Sequence, residues 1–217
     1  IGAIHSVVFA GFGAGALADR IQASGSRLVF TADITYRKGR DVPLQGIVDD
    51  ALKIGGQSVE HVIVLSRAPA GALLEEGRDL SWNAFVDGGI GQSGAHVPME
   101  ANEPAYILAT SGTTATPKLA VHTHGAYQVY IHSMGRWVFD LKPTDIWWST
   151  SDIGWVVGHS YIVYATLILG ATSFMYEGAP GYPYPDRWWS QIEKYGITIL
   201  YTAPTAIRGL MRFGDAW

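Results

Sequence analysis

The chain has 217 residues, 48% hydrophobic and 16% charged, enough to bury the core of one large domain or two small ones. Its formal net charge of −4 argues against a protein that works chiefly by binding nucleic acid. It holds no cysteine, which excludes disulfides, thiolate metal ligands and a cysteine nucleophile.

The chain starts at Ile1, and "IGAIHSVVFAGFG" already reads as a core strand, so a piece of a longer protein is expected. "AIHSVVFAG" predicts a strand rich in β-branched residues, and "GALADRIQASG" a helix closed by Gly25. "RLVFTAD" predicts a second strand. "PLQGIVDDALKIGG" predicts a helix with Pro43 near its start and Gly55-Gly56 past its end, and "EHVIVLSR" a third strand. This βαβαβ alternation predicts a parallel sheet covered by helices. From Ala68 to Pro104 the chain is polar and glycine-rich, with one short helix expected in "LSWNAFVDGG".

The second half resumes with the strand "AYILATS", then a loop dense in threonine, then "LAVHTHGAYQVYIHSMGRWV" as a short strand and a helix. "DIWWSTS" and "GATSFMYEG" predict strands on either side of a buried helix. That helix lies in the low-charge run Val156 to Tyr176, whose glycines and hydroxyls argue against a membrane span. "DRWWSQIEKYG" and "TAIRGLMRFG" predict helices around the strand "ITILYTAP". The expected organisation is a βαβαβ half over residues 1–75, a connection over 76–104 and a second α/β half over 105–217.

Two motifs point to a bound anion. Gly11, Gly13 and Ala16 have the G-x-G-x-x-A spacing of a dinucleotide-binding turn, and Asp33 follows Gly13 by twenty residues, at the end of the next strand. A pyrophosphate would sit on the helix N-terminus, with Arg37 placed for a 2′-phosphate. The same glycines equally serve close helix–strand packing. This motif alone supports an NAD(P)-dependent oxidoreductase. The second motif is "TSGTTATPK". Thr110, Ser111, Gly112, Thr113, Thr114 and Thr116 supply hydroxyls and backbone N–H groups after a strand, and Lys118 supplies a point charge. Pro117 stands where a Walker A loop needs glycine, so it is not that loop; a polyphosphate cradle and an ordinary Ser/Thr turn both fit. His122 and His124 would share one strand face, as metal ligands do, but no third ligand is evident. His159 reads as a hydrogen-bonded core histidine, and the pairs Trp147-Trp148 and Trp188-Trp189 as core and rim packing.

The order of these segments resembles the AMP-forming acyl-CoA synthetases. "YILATSGTTATPKLAVHTHGAY" is similar to their phosphate loop, T-S-G-[ST]-T-G-x-P-K-G. "SDIGWVVGHSYIVYATLILGATSFMYEG" is similar to their acyl-pocket segment, and "ILYTAPTAIRGLM" to the strand and helix after it. Nearly the whole chain takes part, with the acetyl-CoA synthetase branch resembled first and the propionyl-CoA synthetase branch second. The resemblance implies part of the large N-terminal domain of a cytoplasmic ligase. That ligase would join acetate or another short-chain acid to ATP, forming acyl-AMP, and pass the acyl group to CoA, with Mg²⁺ as cofactor and no membrane or nucleic-acid partner.

By the same resemblance the loop residues named above, Thr110 to Thr116 with Lys118, cradle the β/γ-phosphates. Trp155, Val156 and Val157 line the acyl pocket, while Phe9, Gly11, Arg37, Arg40, Val157 and Gly181 lie along CoA. Four positions depart from the family. Ala115 and Leu119 replace glycines, Val157 a threonine and Gly181 an asparagine, which alters loop freedom and removes polar contacts to CoA. The adenine-binding segment, the Mg²⁺ ligands and the adenylation lysine are expected beyond Trp217, so these residues alone are expected to be inactive, to hold no metal, and to depend on the rest of their own chain.

Overall fold

The computed structural model describes residues 1–110 and 118–214. The elements in chain order are β1 (His5–Ser6), α1 (Ala14–Ser24), β2 (Leu28–Ala32), β3 (Thr35–Arg37), β4 (Arg40–Val42), α2 (Leu44–Gly55), β5 (His61–Leu65), β6 (Asp79–Ser81) and α3 (Trp82–Asp87). There follow β7 (Pro104–Thr110), β8 (Lys118–Thr123), α4 (His124–Trp137), β9 (Ile146–Ser149), α5 (Val156–Gly158), a π-helical segment (His159–Tyr164), α6 (Ala165–Ile168), β10 (Thr172–Ser173), α7 (Arg187–Tyr195), β11 (Ile199–Tyr201) and α8 (Pro204–Met211). They form two compact units. The first holds Ile1–Met99 and Tyr106–Val121, and the second Glu100–Ala105 and the residues from His122 onward.

In the first unit β2, β5 and β6 form a parallel sheet in the order β2-β5-β6. Leu28 pairs with His61 and Ala32 with Leu65, so the strands end together. Val48, Val62 and Val64 make the core beneath, packed against Leu17, Val29 and Leu52. Burying such side chains contributes roughly 1.5–3 kcal/mol each. Helices α1 and α2 close on one another at Gly55, where an added Cβ would stand 2.5 Å from the Gln22 side chain. Gly25 ends α1 in the left-handed conformation, φ 61°, which a Cβ disfavours. Strand β6 falls in the stretch that reads as a connection. The Asp79 side chain fixes it, fully buried and gripped by the Arg78 guanidinium at 2.5 and 3.0 Å.

One expectation changes. The first strand does not join β2. It pairs with β7 in parallel, His5 opposite Tyr106, in a separate sheet of order β1-β7-β8. The His5 ring stacks on Tyr106 with centroids 5.6 Å apart, and Tyr106 is fully buried. Only two residues of the expected strand are extended and paired, and that aromatic contact settles their neighbour. The βαβαβ run is therefore divided between two sheets.

In the second unit β9 is flanked by β10 and β11, all parallel. Trp148, Trp188, Ile197 and Leu210 form its core, while Trp147 packs among Phe139, Tyr161 and Tyr201. The run from Val156 folds as the expected buried helix leading into β10, turning at Gly170 with φ 72°. Among the described residues no helix is long and apolar enough to cross a membrane.

Candidate functional site

Asp33 follows the last residue of β2 and is buried. One carboxylate oxygen accepts the backbone N–H of Ile34 at 2.7 Å and of Arg67 at 2.8 Å. The other accepts the N–H of Ala68 at 3.0 Å and the Ser66 hydroxyl at 3.4 Å. Burial pushes its pKa up, and these four hydrogen bonds together pull it below the ordinary value. The acid thus ties the loop after β2 to the loop after β5, at the C-terminal edge of the sheet, where α/β folds place ligands.

That staple anchors a hairpin that the sequence reading misses. Strands β3 and β4 are antiparallel, with Arg37 directly opposite Arg40. The turn between them is Lys38 at φ 50° and Gly39 at φ 73°. Positive φ at both central residues is the signature of a two-residue hairpin turn, and Lys-Gly is its only trace in sequence. The Arg67 guanidinium lies 5.1 Å from the centre of the Tyr36 ring, a second tie between hairpin and β5 loop. Arg37, Lys38 and Arg40 are all exposed. Like charges directly opposite on neighbouring strands destabilise a hairpin, so this tip is suited to an anion.

The dinucleotide reading fails on the same ground. Its first strand and second strand lie in different sheets, and Asp33 is engaged with backbone rather than held out to a ribose. An added Cβ on Gly13 would meet nothing within 4 Å, so the packing of helix on strand does not require glycine there. At Gly11 a Cβ would displace the Phe9 ring across a turn closed by Phe12 N–H to Phe9 C=O at 3.0 Å.

Of the threonine-rich loop, Ser111, Gly112, Thr113, Thr114 and Thr116 lie outside the described residues. Its two ends are described. Thr110 closes β7 and Lys118 opens β8, both exposed, and the Thr110 hydroxyl donates to the Lys118 carbonyl at 3.3 Å. The loop thus begins and ends on neighbouring strands.

The second unit contains a cavity of about 370 Å³ beyond the C-terminal ends of β9 and β10. Trp148, Tyr176 and Trp188 give it aromatic walls, and Ser149, Asp152 and Glu177 give it polar ones. The Ser149 hydroxyl is buried without a hydrogen-bond partner among the described residues. Sequence reading overlooks these residues, because hydroxyls and acids after a strand look like any loop. Trp155 and Val156 are exposed and Val157 is half-buried at the start of α5. They do not line the cavity, and the loop from Asp152 connects them to it. Gly181 comes one residue after Pro180 of the cavity wall and does not itself line it, and an added Cβ on Gly181 would press on the Phe213 ring at 2.9 and 3.2 Å.

His122 and His124 do not share a strand face, since β8 ends at Thr123 and His124 opens α4. Among the described residues no three His, Asp or Glu side chains are grouped to hold a metal ion. His159 is a buried histidine hydrogen-bonded to a backbone carbonyl, as expected.

Residues 1–217 match a family model described as AMP-binding enzyme. The chain is 52% identical over 219 residues to an acetyl-coenzyme A synthetase of Pyrobaculum arsenaticum, covering 100% of this chain and 32% of that protein. It is 50% identical over 218 residues to an acetyl-coenzyme A synthetase of Salmonella typhimurium, covering 99% and 33%. It therefore spans about a third of the length of the curated relatives it matches. Among solved structures, acetoacetyl-CoA synthetase from Streptomyces lividans matches with a TM-score of 0.79 at 24% identity, over 94% of this chain and 30% of that one. That match shows the fold: mixed α/β with parallel sheets, as in the N-terminal part of an acyl-CoA synthetase.

Proposed function

This chain belongs to the AMP-binding enzyme family, and from that premise we propose that it is part of an AMP-forming acetate–CoA ligase. What carries the reading is identity of about half to acetyl-CoA synthetases, sustained across the whole chain rather than over one motif. In the proposed reaction the acid's carboxylate oxygen attacks the α-phosphorus of ATP and pyrophosphate departs. The CoA thiolate then attacks the acyl carbon of the mixed anhydride and AMP departs. Both steps conserve atoms and need no oxidant.

Thr110, Ser111, Gly112, Thr113, Thr114, Thr116 and Lys118 hold the β/γ-phosphates in this reading. Hydroxyls, backbone N–H groups and a lysine stabilise charge that grows on the leaving pyrophosphate. Arg37 and Arg40 take a phosphate of CoA, with Phe9 and Gly11 beside its nucleotide end. The paired, exposed cations of the hairpin support this role. Trp155, Val156 and Val157 wall the acyl group, and Val157 and Gly181 flank the pantetheine arm. Mg²⁺ neutralises phosphate charge in such chemistry. No residue named here is assigned to it, and no step here runs through it.

The test is the full-length protein with acetate, ATP, Mg²⁺ and CoA in a coupled AMP-release assay, alongside acid-dependent ATP–pyrophosphate exchange. Failure to exchange with any acid of two to four carbons would refute the reading. A higher kcat/KM with propionate would move the substrate by one methylene and leave the reaction class intact. The apolar Val157 gives that variant its footing.

A further inference from the structure

The loop Asp152 to Trp155 leaves β9 and feeds α5. It is closed on itself: the Gly154 N–H donates to the Asp152 carboxylate at 2.7 Å and the Trp155 N–H to the Asp152 carbonyl at 3.1 Å. Two residues further on hold it from outside. A Cβ on Gly158 would overlap the Asp152 carbonyl oxygen and stand 2.9 Å from the Ile153 nitrogen, so backbone presses on backbone here. His159, only 2% exposed, brings Nδ1 to 3.3 Å from the Ile153 carbonyl oxygen. With Nδ1 protonated, the ring donates to that carbonyl.

The ring itself has a firm seat. Gly158 to Ile162 are five consecutive buried positions, which an α-helix with one buried face does not give. Four of them, His159 to Ile162, lie in the π-helical segment, which is covered on every side, and such turns recur at functional sites. The Tyr127 hydroxyl of α4 donates to the Ser160 hydroxyl at 2.8 Å. Tyr164 meets the rings of both Tyr127 and His159, at 5.3 and 5.4 Å. A continuous run of contacts therefore leads from α4 through His159 to the loop.

We propose that His159, seated by Gly158, is a positioning residue for the acid substrate. It fixes the loop that presents Trp155, Val156 and Val157, and so sets which acid fits. This rests on the reading above, in which those three residues wall the acyl group. His159 acts through the loop and does not touch the acid.

Two amide substitutions separate the ring's nitrogens. His159→Asn sets an amide nitrogen where Nδ1 lies, and His159→Gln sets it where Nε2 lies. In the full-length protein, ATP–pyrophosphate exchange is measured with acetate, propionate and ATP varied in turn. His159→Gln is expected to raise KM for acetate roughly five- to tenfold, the loss of one ordinary hydrogen bond, and His159→Asn less than about twofold. KM for ATP stays put in both, and His159→Gln discriminates less between the two acids. Equal acetate KM values in the two variants, or a KM for ATP that rises in step, overturns the proposal. A wild-type protein that exchanges with neither acid refutes the functional reading instead. The clamp is then read by hydrogen exchange over residues 151–157. Faster exchange in His159→Gln than in His159→Asn supports it, and equal rates overturn it.

Discussion

The Asp33 carboxylate accepts the backbone N–H of Arg67 at 2.8 Å, joining the ends of two neighbouring parallel strands. The contact decides what Asp33 is. Its oxygens are filled by Ile34, Ser66, Arg67 and Ala68, so it fixes the edge of the sheet from which the cationic hairpin springs.

Replacing Asp33 by asparagine is expected to destabilise the protein by roughly 1–3 kcal/mol, because the amide NH₂ would face backbone donors and leave them unpaired. The pH dependence follows from the depressed pKa. A carboxyl whose folded pKa lies below its unfolded value, ordinarily 3.8, stabilises the fold fully above that value. The contribution is lost as pH falls through the folded value. Urea melts run from neutral pH down through the carboxylate range should show a shallower acid slope for Asp33→Asn than for wild type. Parallel slopes would rule out the staple.

This site marks the limit of the sequence. An acid twenty residues after Gly13 fits a ribose-binding acid and a loop staple equally well, and only the neighbours of its oxygens tell them apart. Strands β2 and β5 and helices α1 and α2 are legible because apolar spacing and closing glycines are local signals. The partner of β1 is not local: His5 finds Tyr106 from the far end of the unit. The hairpin hides behind two residues, Lys38 and Gly39. The threonine loop is legible as an anion site by its chemistry. The roles of Trp155 to Val157 and of Gly181 come only by resemblance, since nothing in three apolar residues or a glycine announces a substrate.

Arg37→Ala and Arg40→Ala in the full-length protein should impair thioester formation and spare acyl-AMP formation. Each lost charge-assisted contact amounts to roughly 1.5–3 kcal/mol, or about a ten- to hundredfold rise in KM for CoA. Removing one of two like charges across a hairpin relieves repulsion, so melting temperature should hold or rise slightly. ATP–pyrophosphate exchange and CoA-dependent turnover, measured side by side, decide. Equal loss in both assays, or a drop in melting temperature, would make these arginines structural.

Lys118→Ala and Thr113→Ala should weaken the use of ATP more than that of acetate, by roughly 1.5–3 kcal/mol where the lost contact is charge-assisted. Lys118 is exposed at the start of β8, so its loss costs the fold little. Steady-state kinetics with each substrate varied give the comparison. Unchanged adenylation in both variants would remove the loop from the ATP site.

Tyr127 and Ser160 test whether the π-helical segment is held as a unit with α4. Their hydroxyls meet at 2.8 Å in a buried setting, with Tyr127 7% and Ser160 4% exposed. Tyr127→Phe removes the donor and keeps the ring, which still packs edge-on against Tyr164. It leaves the Ser160 oxygen buried without that donor, which costs about 1–2 kcal/mol. Ser160→Ala removes the acceptor that the Tyr127 hydroxyl uses here and costs a similar amount. The shared hydrogen bond can be lost only once, so the double variant should fall short of the sum of the two single losses by about 1 kcal/mol or more. Urea unfolding of the four proteins measures that coupling. Strict additivity would mean that the two hydroxyls do not depend on each other, and that α4 does not steady the turn from which His159 reaches Ile153.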